Sequence, residues 1–353
     1  MRIVFYAPLK EPDHPVPSGD REMARLLIRA LVLGGHEVEV ASRLRSFMAE
    51  PALAAAELMA AAERARLTQA WRAGNPPDLW LCYHPYYKAP DFIGPSLARD
   101  FGIPYVTAES SYAPKRDMGP WREAQAHVAD GLRLARLNIC FTERDRAGLA
   151  PLSPHTALLN PFIDTEPYAA ITPSGEPGQM IAVAMMRKGD KLESYTMLAA
   201  ALRRIGDLSW SLSVIGDGPM REPVAALFEG LPVRFLGERP PAAIPDLLSR
   251  ASLYVWPGCG EAYGLAYLEA QAAGLPVIAQ ATGGISAVVT AGETGLLTPE
   301  GDIDAYVSAL RRMLTDNGTL RAMGRRARDF VLRERSLPGA AERLNALLAE
   351  AAP

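Results

Sequence analysis

The clearest pattern of apolar and polar positions lies in residues 253–279. A β-branched and aromatic run at 253–256 ends at Pro257, and a polar segment follows that glycines interrupt at positions 258, 260 and 264. The next apolar residues recur at helical spacing: Leu265, Leu268 and Ala272. Gly274 and Pro276 then end the periodic pattern. The pattern predicts a strand, a glycine-rich loop, a helix and a second strand.

The predicted helix begins at Gly264, where little side chain covers the helix end. The backbone N–H groups of Gly264, Leu265 and Ala266 would lack intrahelical partners, and such an end binds phosphate. Glu261 precedes the helix and Glu269 lies inside it. At about 1.5 Å of rise per residue, Glu269 is roughly 7 Å along the axis from Gly264, about the reach from a diphosphate to a nucleotide ribose. One helix is therefore predicted to hold both parts of a nucleotide, although either glutamate alone also fits an ordinary solvated charge.

Residues 261–279, EAYGLAYLEAQAAGLPVIA, resemble the glutamate-x7-glutamate signature of retaining, GT-B-fold glycosyltransferases of family 4, also called glycosyltransferase group 1. The Tyr-Gly-Leu centre, the Glu-Ala pair after it and the Gly-x-Pro-Val exit carry the resemblance. It implies an α/β protein with two Rossmann-like, doubly wound domains facing a central cleft. It also implies that Glu261 orients the transferred sugar and that Glu269 holds the ribose of a UDP- or GDP-linked sugar, with no cofactor and no metal.

The length of 353 residues predicts two domains that each bury a core. Prolines and glycines concentrate in residues 165–178, which we interpret as a linker. The linker would separate an N-terminal, acceptor-side domain at 1–164 from a nucleotide-sugar-binding domain at 179–335. A C-terminal helix at 336–353 is expected to pack back toward the N-terminal domain.

The composition is that of a globular protein with a formal net charge of −3, which argues against a general nucleic-acid binder. The three cysteines form no C-x-x-C pair, and Cys82 and Cys140 stand in apolar runs typical of buried strand thiols. This cysteine usage favours the reducing cytosol. The first ten residues are interpreted as a strand rather than a signal peptide, and no run approaches membrane-spanning length.

Residues 11–19 form a proline-rich loop that leads from the first predicted strand into a helix. The loop resembles the glycine-rich first loop of the family, whose backbone approaches the donor diphosphate. Ser18 and Gly19 would stand in place of the usual glycine pair. A simple turn is the alternative interpretation.

Two further predicted strands, at 78–83 and 103–107, each end in a polar loop. Because ligands of open sheets bind beyond the carboxyl ends of the strands, His84, Glu109 and Ser110 are candidates to contact an acceptor hydroxyl. Relatives carry a histidine after the second of these strands, where this chain has Glu109 and Ser110 instead. His84 is a candidate replacement from the neighbouring loop, and a hydrogen-bonded structural histidine is the alternative.

A strand predicted at 180–186 is followed by a loop that carries Arg187, Lys188 and Lys191. At this point the family has an arginine and a lysine that hold the donor diphosphate, and both are offset in this chain. Phosphate charge requires cations, so we assign this role to Arg187 and Lys191, with Lys188 as the alternate. Solvated loop charges are the other interpretation.

Residues 43–73 are alanine-rich and predicted to be helical, with arginines interspersed. Such a segment forms a solvated helical face, or it makes a peripheral contact with anionic lipid at the inner face of the membrane. The sequence leaves both open.

Together these features predict a metal-independent hexosyltransferase that moves a sugar from a nucleotide-diphosphate sugar to an acceptor hydroxyl, and the family resemblance implies that the anomeric configuration is retained. The glycine-capped helix end, Arg187 and Lys191 would stabilise the charge on the departing diphosphate. A nucleotide-sugar epimerase shares the fold, although the paired glutamates argue against it, and nothing indicates the lysine-bound pyridoxal phosphate of a phosphorylase-like enzyme. The departures from the family pattern at Met185, Ala287 and Glu109 keep a non-catalytic nucleotide-sugar sensor open.

Overall fold

A computed structural model describes residues 1–351 of the chain. Their contacts divide them into two compact units. The first unit contains residues 1–160 and, from the end of the chain, residues 337–351, whereas the second contains residues 161–336. The chain therefore leaves the first unit and returns to it.

The first unit alternates strands and helices around one parallel sheet. In chain order its elements are β1 (Arg2–Tyr6), α1 (Gly19–Leu33), β2 (Glu37–Val40), α2 (Leu53–Ala73), β3 (Leu79–Tyr83), α3 (Gly94–Phe101), β4 (Tyr105–Ala108), α4 (Arg122–Leu134), β5 (Leu137–Cys140), α5 (Glu143–Leu149) and β6 (Thr156–Leu158). The strands lie in the order β2-β1-β3-β4-β5-β6, and every pair is parallel. The order reverses between β1 and β3, and ligands of such sheets bind beyond the carboxyl ends of the strands at this point.

The second unit repeats this plan. Its elements are α6 (Glu166–Ala169), β7 (Gln179–Val183), α7 (Asp190–Arg203), β8 (Ser211–Ile215), α8 (Arg221–Leu227), β9 (Val233–Gly237), α9 (Ile244–Ser249), β10 (Leu253–Val255), α10 (Leu265–Ala272), β11 (Val277–Gln280), β12 (Gly295–Thr298), α11 (Ile303–Thr315) and α12 (Asn317–Glu334). The parallel strand order is β12-β11-β10-β7-β8-β9, with its reversal between β7 and β10. Helix α13 (Leu337–Ala351) follows and belongs to the first unit, where it packs against α1. The predicted α/β class with two doubly wound sheets is confirmed.

The sheet interiors explain the sequence patterns that predicted them. Strand β3, LWLCY, is buried along its whole length, as expected for a parallel strand that helices cover on both faces. The apolar residues Met23, Leu26, Leu27, Ala30 and Leu31, which recur at helical spacing in α1, are buried. Cys82 and Cys140 are buried free thiols on β3 and β5, as the apolar runs around them indicated.

The proline- and glycine-rich segment 165–178 runs along the second unit. It contains α6, and the Ser174 N–H donates to the Ser249 carbonyl at 2.8 Å. At Gly175 the two backbones approach so closely that a Cβ would lie 1.9 Å from the Ala251 carbonyl oxygen. Glycine at this position permits the approach.

The helix predicted at 43–73 is shorter in the structure, because α2 begins only at Leu53. The prediction is wrong for residues 43–52, whose backbone hydrogen-bonds to distant segments: the Ser46 N–H donates to the Pro8 carbonyl and the Met48 N–H to the Lys88 carbonyl. Pro51 also disfavours a helical conformation in the residue before it.

The arginines of α2 are largely engaged within the first unit. Arg64 donates to the Phe92 carbonyl at 2.6 Å, and Arg66 donates to the Ala41 carbonyl at 2.8 Å. These contacts favour a structural role for both side chains over lipid binding. No helix within residues 1–351 combines the length and the apolar character that crossing a bilayer requires.

We expect Leu344→Ala in α13 to destabilise the first unit by about 2–5 kcal/mol, because removing a fully buried leucine leaves a cavity. The Leu344 side chain is 0% exposed, whereas that of Leu58 on α2 is 75% exposed. The matched control Leu58→Ala should therefore change stability by less than about 0.5 kcal/mol. Urea unfolding followed by tryptophan fluorescence measures both, and equal losses would contradict the docking of α13.

Candidate functional site

Two loops meet at the carboxyl edge of the second sheet, where the strand order reverses. One follows β7 and leads into α7, and the other follows β10 and leads into α10. The Ser194 hydroxyl of α7 accepts the backbone N–H of Cys259 at 2.9 Å. A Cβ at Gly260 would lie 2.3 Å from the Asp190 carboxylate. The contacts are close enough to fix one loop against the other.

Lys191, in the first turn of α7, and Glu261, in the loop after β10, form an ion pair. Their side chains are only 15% and 17% exposed, so water screens the pair weakly. The indole N–H of Trp256 donates to the same carboxylate oxygen, Oε1, at 3.2 Å. The Lys191 ammonium lies 5.6 Å from the centroid of the Trp256 ring, within cation–π range. One carboxylate oxygen thus accepts from a cation and from a neutral donor.

The start of α10 is open and requires glycine. Gly264 caps the helix at a φ of 79°, and no side chain caps it with a hydrogen bond. A Cβ at Gly264 would lie 2.7 Å from the Tyr267 ring and 3.9 Å from Glu261 Cδ. The Glu261 carboxyl therefore lies beside the first residues of the helix, Leu265 among them, where unpaired backbone N–H groups attract anions.

Glu269 is half-buried on α10, and its surroundings include tyrosines that the sequence did not indicate. Burial raises the pKa of Tyr168 above its ordinary value, and the Glu269 carboxylate raises it further. Burial likewise raises the pKa of Tyr254, with further contributions from Glu261 and Glu269. Both carboxylates thus act on the same buried phenol behind the site.

The three predicted phosphate cations differ in their surroundings. Lys191 is held by Glu261, whereas Arg187 and Lys188 are exposed on the preceding loop. The backbone before them is fixed, because the Met186 N–H donates to the Asp217 carbonyl at 2.9 Å. The structure thus brings one predicted cation to the predicted carboxylate and leaves two at the surface.

The residues predicted for the acceptor lie in the first unit. His84 follows β3 and Glu109 follows β4, and their φ values are 56° and 55°. They are the only non-glycine residues with positive φ within residues 1–351. Such a backbone costs on the order of 1–3 kcal/mol per residue and clusters at functional sites.

His84 and Glu109 belong to a charged cluster that includes Asp20 from the first turn of α1. His84 Nδ1 lies 3.2 Å from Asp20 Oδ1 and 3.9 Å from Glu109 Oε1. The Tyr83 hydroxyl donates to Glu109 Oε2 at 2.7 Å. Burial alone would lower the pKa of His84, but Glu109 and Asp20 outweigh it and raise this pKa to about 9. The imidazole is therefore protonated at neutral pH.

Asp20 was not predicted, although its place in the chain carries a signal. It lies in the first turn of α1, directly after the two residues predicted to approach the donor. Burial would raise the pKa of Asp20, but the interactions with His84 lower it instead. An acid at the point where the strand order of a parallel sheet reverses is a candidate site residue, because ligands bind there. Asp20 is recognised as such an acid once the order of the strands is known.

The hydroxyls of Ser18 and Ser110 differ in their hydrogen bonds. Ser18 Oγ caps α1 by accepting the Arg21 N–H at 3.2 Å, and it also accepts from Lys10 at 3.0 Å. Gly19 begins the helix, and a Cβ there would meet nothing within 4 Å. Ser110 is 2% exposed, and its hydroxyl has no hydrogen-bond partner within residues 1–351.

The sequence profile described as "Glycosyl transferases group 1" matches residues 179–316, which include the ion pair and α10. This stretch of the chain is thus similar to the glycosyl transferases group 1 family. The resemblance carried by residues 261–279 is thereby confirmed.

Relatives and solved structures extend this result. The sulfoquinovosyl transferase SQD2 of Arabidopsis thaliana is 30% identical over 173 residues, which are 48% of this chain and 33% of that protein. The chain thus spans about a third of the length of this relative. A sucrose-phosphate synthase from Thermosynechococcus elongatus has a TM-score of 0.79 at 19% identity, covering 99% of both chains. HepE of Anabaena, solved with UDP, has a TM-score of 0.72 at 15% identity, covering 99% of this chain and 100% of that one. These structures share the GT-B fold with the chain.

We expect Glu109→Gln to lower the pKa of His84 from about 9 toward its ordinary value of 6.5, because the substitution removes a neighbouring negative charge. NMR titration of the imidazole signals measures this change. The matched control is Glu143→Gln on α5, whose side chain is 65% exposed and paired with Arg146.

The same interaction sets a pH dependence of stability. Because the folded-state pKa of His84 is raised, its stabilising contribution is complete below pH 6.5 and is lost as the pH rises through about 9. An unchanged His84 titration in Glu109→Gln would contradict the electrostatic origin of the raised pKa.

Proposed function

We propose that the chain is a glycosyltransferase that moves a sugar from a UDP- or GDP-linked donor to an acceptor hydroxyl. The observation that carries the proposal is the Lys191–Glu261 ion pair beside the open start of α10. It lies within the stretch that is similar to the glycosyl transferases group 1 family. The arrangement offers a cation, a helix dipole and a carboxylate at one place.

The donor diphosphate is proposed to bind at the Gly264 end of α10. The helix end attracts negative charge, and Leu265 contributes a backbone N–H there. Lys191 would turn from Glu261 to the diphosphate, and the exposed Arg187 and Lys188 of the preceding loop would add positive charge. Glu269, further along the same helix, would accept from the ribose hydroxyls.

The same groups support the reaction. Negative charge builds on the departing diphosphate, and Lys191, Arg187 and the helix dipole stabilise it without a metal ion. Glu261, released from Lys191, would orient the transferred sugar by accepting from its hydroxyls. The acceptor would attack from the face of the leaving group, and a phosphate oxygen would take its proton, so that the anomeric configuration is retained. Neither glutamate acts as a covalent nucleophile in this proposal.

The acceptor is proposed to bind in the first unit at His84, Glu109 and Ser110. The protonated imidazole is a donor, the Glu109 carboxylate is an acceptor, and the buried Ser110 hydroxyl has no hydrogen-bond partner among residues 1–351. The positive φ of His84 and Glu109 supports a functional reason for their placement.

A thermal-shift panel of UDP-glucose, GDP-mannose and ADP-glucose tests the donor, because a ligand raises the melting temperature only if it binds the folded protein. We expect a shift with the uridine or the guanosine sugar, loss of that shift in Lys191→Met, and no effect of the matched Lys115→Met on an exposed loop of the first unit. Release of the nucleoside diphosphate in the presence of EDTA should follow. Binding without release on any acceptor would favour the sensor, and a protein that binds none of the three sugars would contradict the proposal.

Glu261→Gln should separate binding from turnover. The substitution removes the negative charge from which Lys191 must separate before it binds the diphosphate. The affinity for UDP or GDP alone should therefore rise by about 3- to 10-fold, the scale of a partly exposed ion pair. Turnover of the nucleotide sugar should fall by about 100-fold, because the sugar is no longer oriented.

The matched control is Glu193→Gln, an exposed carboxylate in the first turn of α7. It should change neither quantity. Calorimetry measures the affinity, and weaker binding of the nucleoside diphosphate in Glu261→Gln would show that Lys191 does not exchange partners.

A further inference from the structure

Trp256 joins the two charges of the site, although it was not among the predicted ligands. It directly follows β10 and is 2% exposed. Its indole N–H donates to Glu261 Oε1, and its ring face lies below the Lys191 ammonium. It therefore contacts both members of the ion pair through separate parts of one ring.

The Trp256 backbone is hydrogen-bonded to two neighbouring elements, and its ring packs against a third. Its backbone N–H donates to the Ile278 carbonyl of β11 at 3.1 Å. The Tyr195 ring of α7 packs edge-on against it, with centroids 4.8 Å apart. The Tyr267 hydroxyl of α10 donates to the Trp256 carbonyl at 3.1 Å. Contacts outside the ion pair thus hold both the backbone and the ring of Trp256.

The two donors to Glu261 respond differently to a diphosphate. Lys191 is a flexible cation that a more highly charged anion attracts. The indole N–H is a neutral donor on a rigid ring, so a diphosphate attracts it less than it attracts the ammonium. If Lys191 left, the indole N–H would still be placed to donate to Oε1, and the other lone pairs of the carboxylate would be available to the ligand.

We propose that Trp256 is a positioning residue that holds the Glu261 carboxylate at the start of α10 after Lys191 has moved to the donor diphosphate. This inference rests on the proposed function. It implies that the chain needs a tryptophan at this position, since phenylalanine or tyrosine would fill the space but offer no N–H in that direction.

The test is a double-mutant cycle of Trp256→Phe with Glu261→Gln, using the nucleotide sugar that gives the larger thermal shift, UDP-glucose or GDP-mannose. In the wild-type background, Trp256→Phe should lower kcat about 10- to 100-fold and change KM for the donor less than about 3-fold. In the Glu261→Gln background it should cause no further loss of kcat, because Trp256 acts through that carboxylate.

Two further variants separate positioning from packing. Trp210→Phe is the matched control. The Trp210 indole is likewise buried, but its N–H donates to the Ile205 carbonyl, away from the ion pair. This substitution should leave kcat unchanged. If Trp256→Phe folds poorly, replacement of Trp256 by its sulfur isostere benzothienylalanine keeps the shape and removes only the N–H, and it should give the same loss of kcat.

A second readout does not depend on turnover. The five tryptophans give indole N–H signals in a heteronuclear NMR spectrum, and the signal lost in Trp256→Phe is assigned to Trp256. It should keep its hydrogen-bonded chemical shift when UDP or GDP is added, and it should move in Glu261→Ala.

The outcomes distinguish this inference from the proposed function. Equal losses of kcat in both Glu261 backgrounds, or an indole signal that loses its hydrogen bond when the nucleoside diphosphate binds, would overturn the inference alone. A wild-type protein that binds no nucleoside diphosphate would overturn the proposed function and the inference with it.

Discussion

Lys191 and Glu261 are each other's counter-ions, and the arrangement of the second unit depends on keeping them together. Each charge is shielded from water, so either one alone would be costly at this place. The parallel sheet brings them together, because the reversal of strand order between β7 and β10 places two loops side by side. Cys259 and Gly260 contact α7, and these contacts fix the distance between α7 and the loop after β10.

The first unit uses the same topology for a different pair of charges. Its strand order reverses between β1 and β3, and there Asp20 meets His84. In both units a residue of the loop after a strand faces an oppositely charged residue in the first turn of a helix, at the carboxyl edge of a parallel sheet. In the first unit the cation titrates and its pKa is raised to about 9, so the pair responds to alkaline pH. The fold thus brings two opposite charges together in each unit, and the residue types decide how each pair responds to pH.

The sequence predicted those parts of the site that local rules determine. Gly264, the helix after it and Glu261 follow from glycine placement and helical spacing within about one turn of each other. Asp20 was missed because its partner His84 lies far along the chain, and Trp256 was missed because its role depends on the ion pair of Lys191 with Glu261, which are 70 residues apart. The incorrect prediction of a helix at 43–52 has the same cause, since backbone N–H groups of this segment donate to the distant carbonyls of Pro8 and Lys88. The amino-acid composition does not indicate which residues far apart in the sequence will contact each other.

Helix α13 has a consequence for how the chain is made. The last helix completes the first unit, so α1 is synthesised long before the partner that covers part of it. At about 5–20 residues per second, the ribosome needs on the order of 10 s to make the intervening second unit. During that time the nascent first unit keeps an uncovered apolar face. The second unit is contiguous in the sequence and can finish folding first, so the order of folding would run against the order of synthesis.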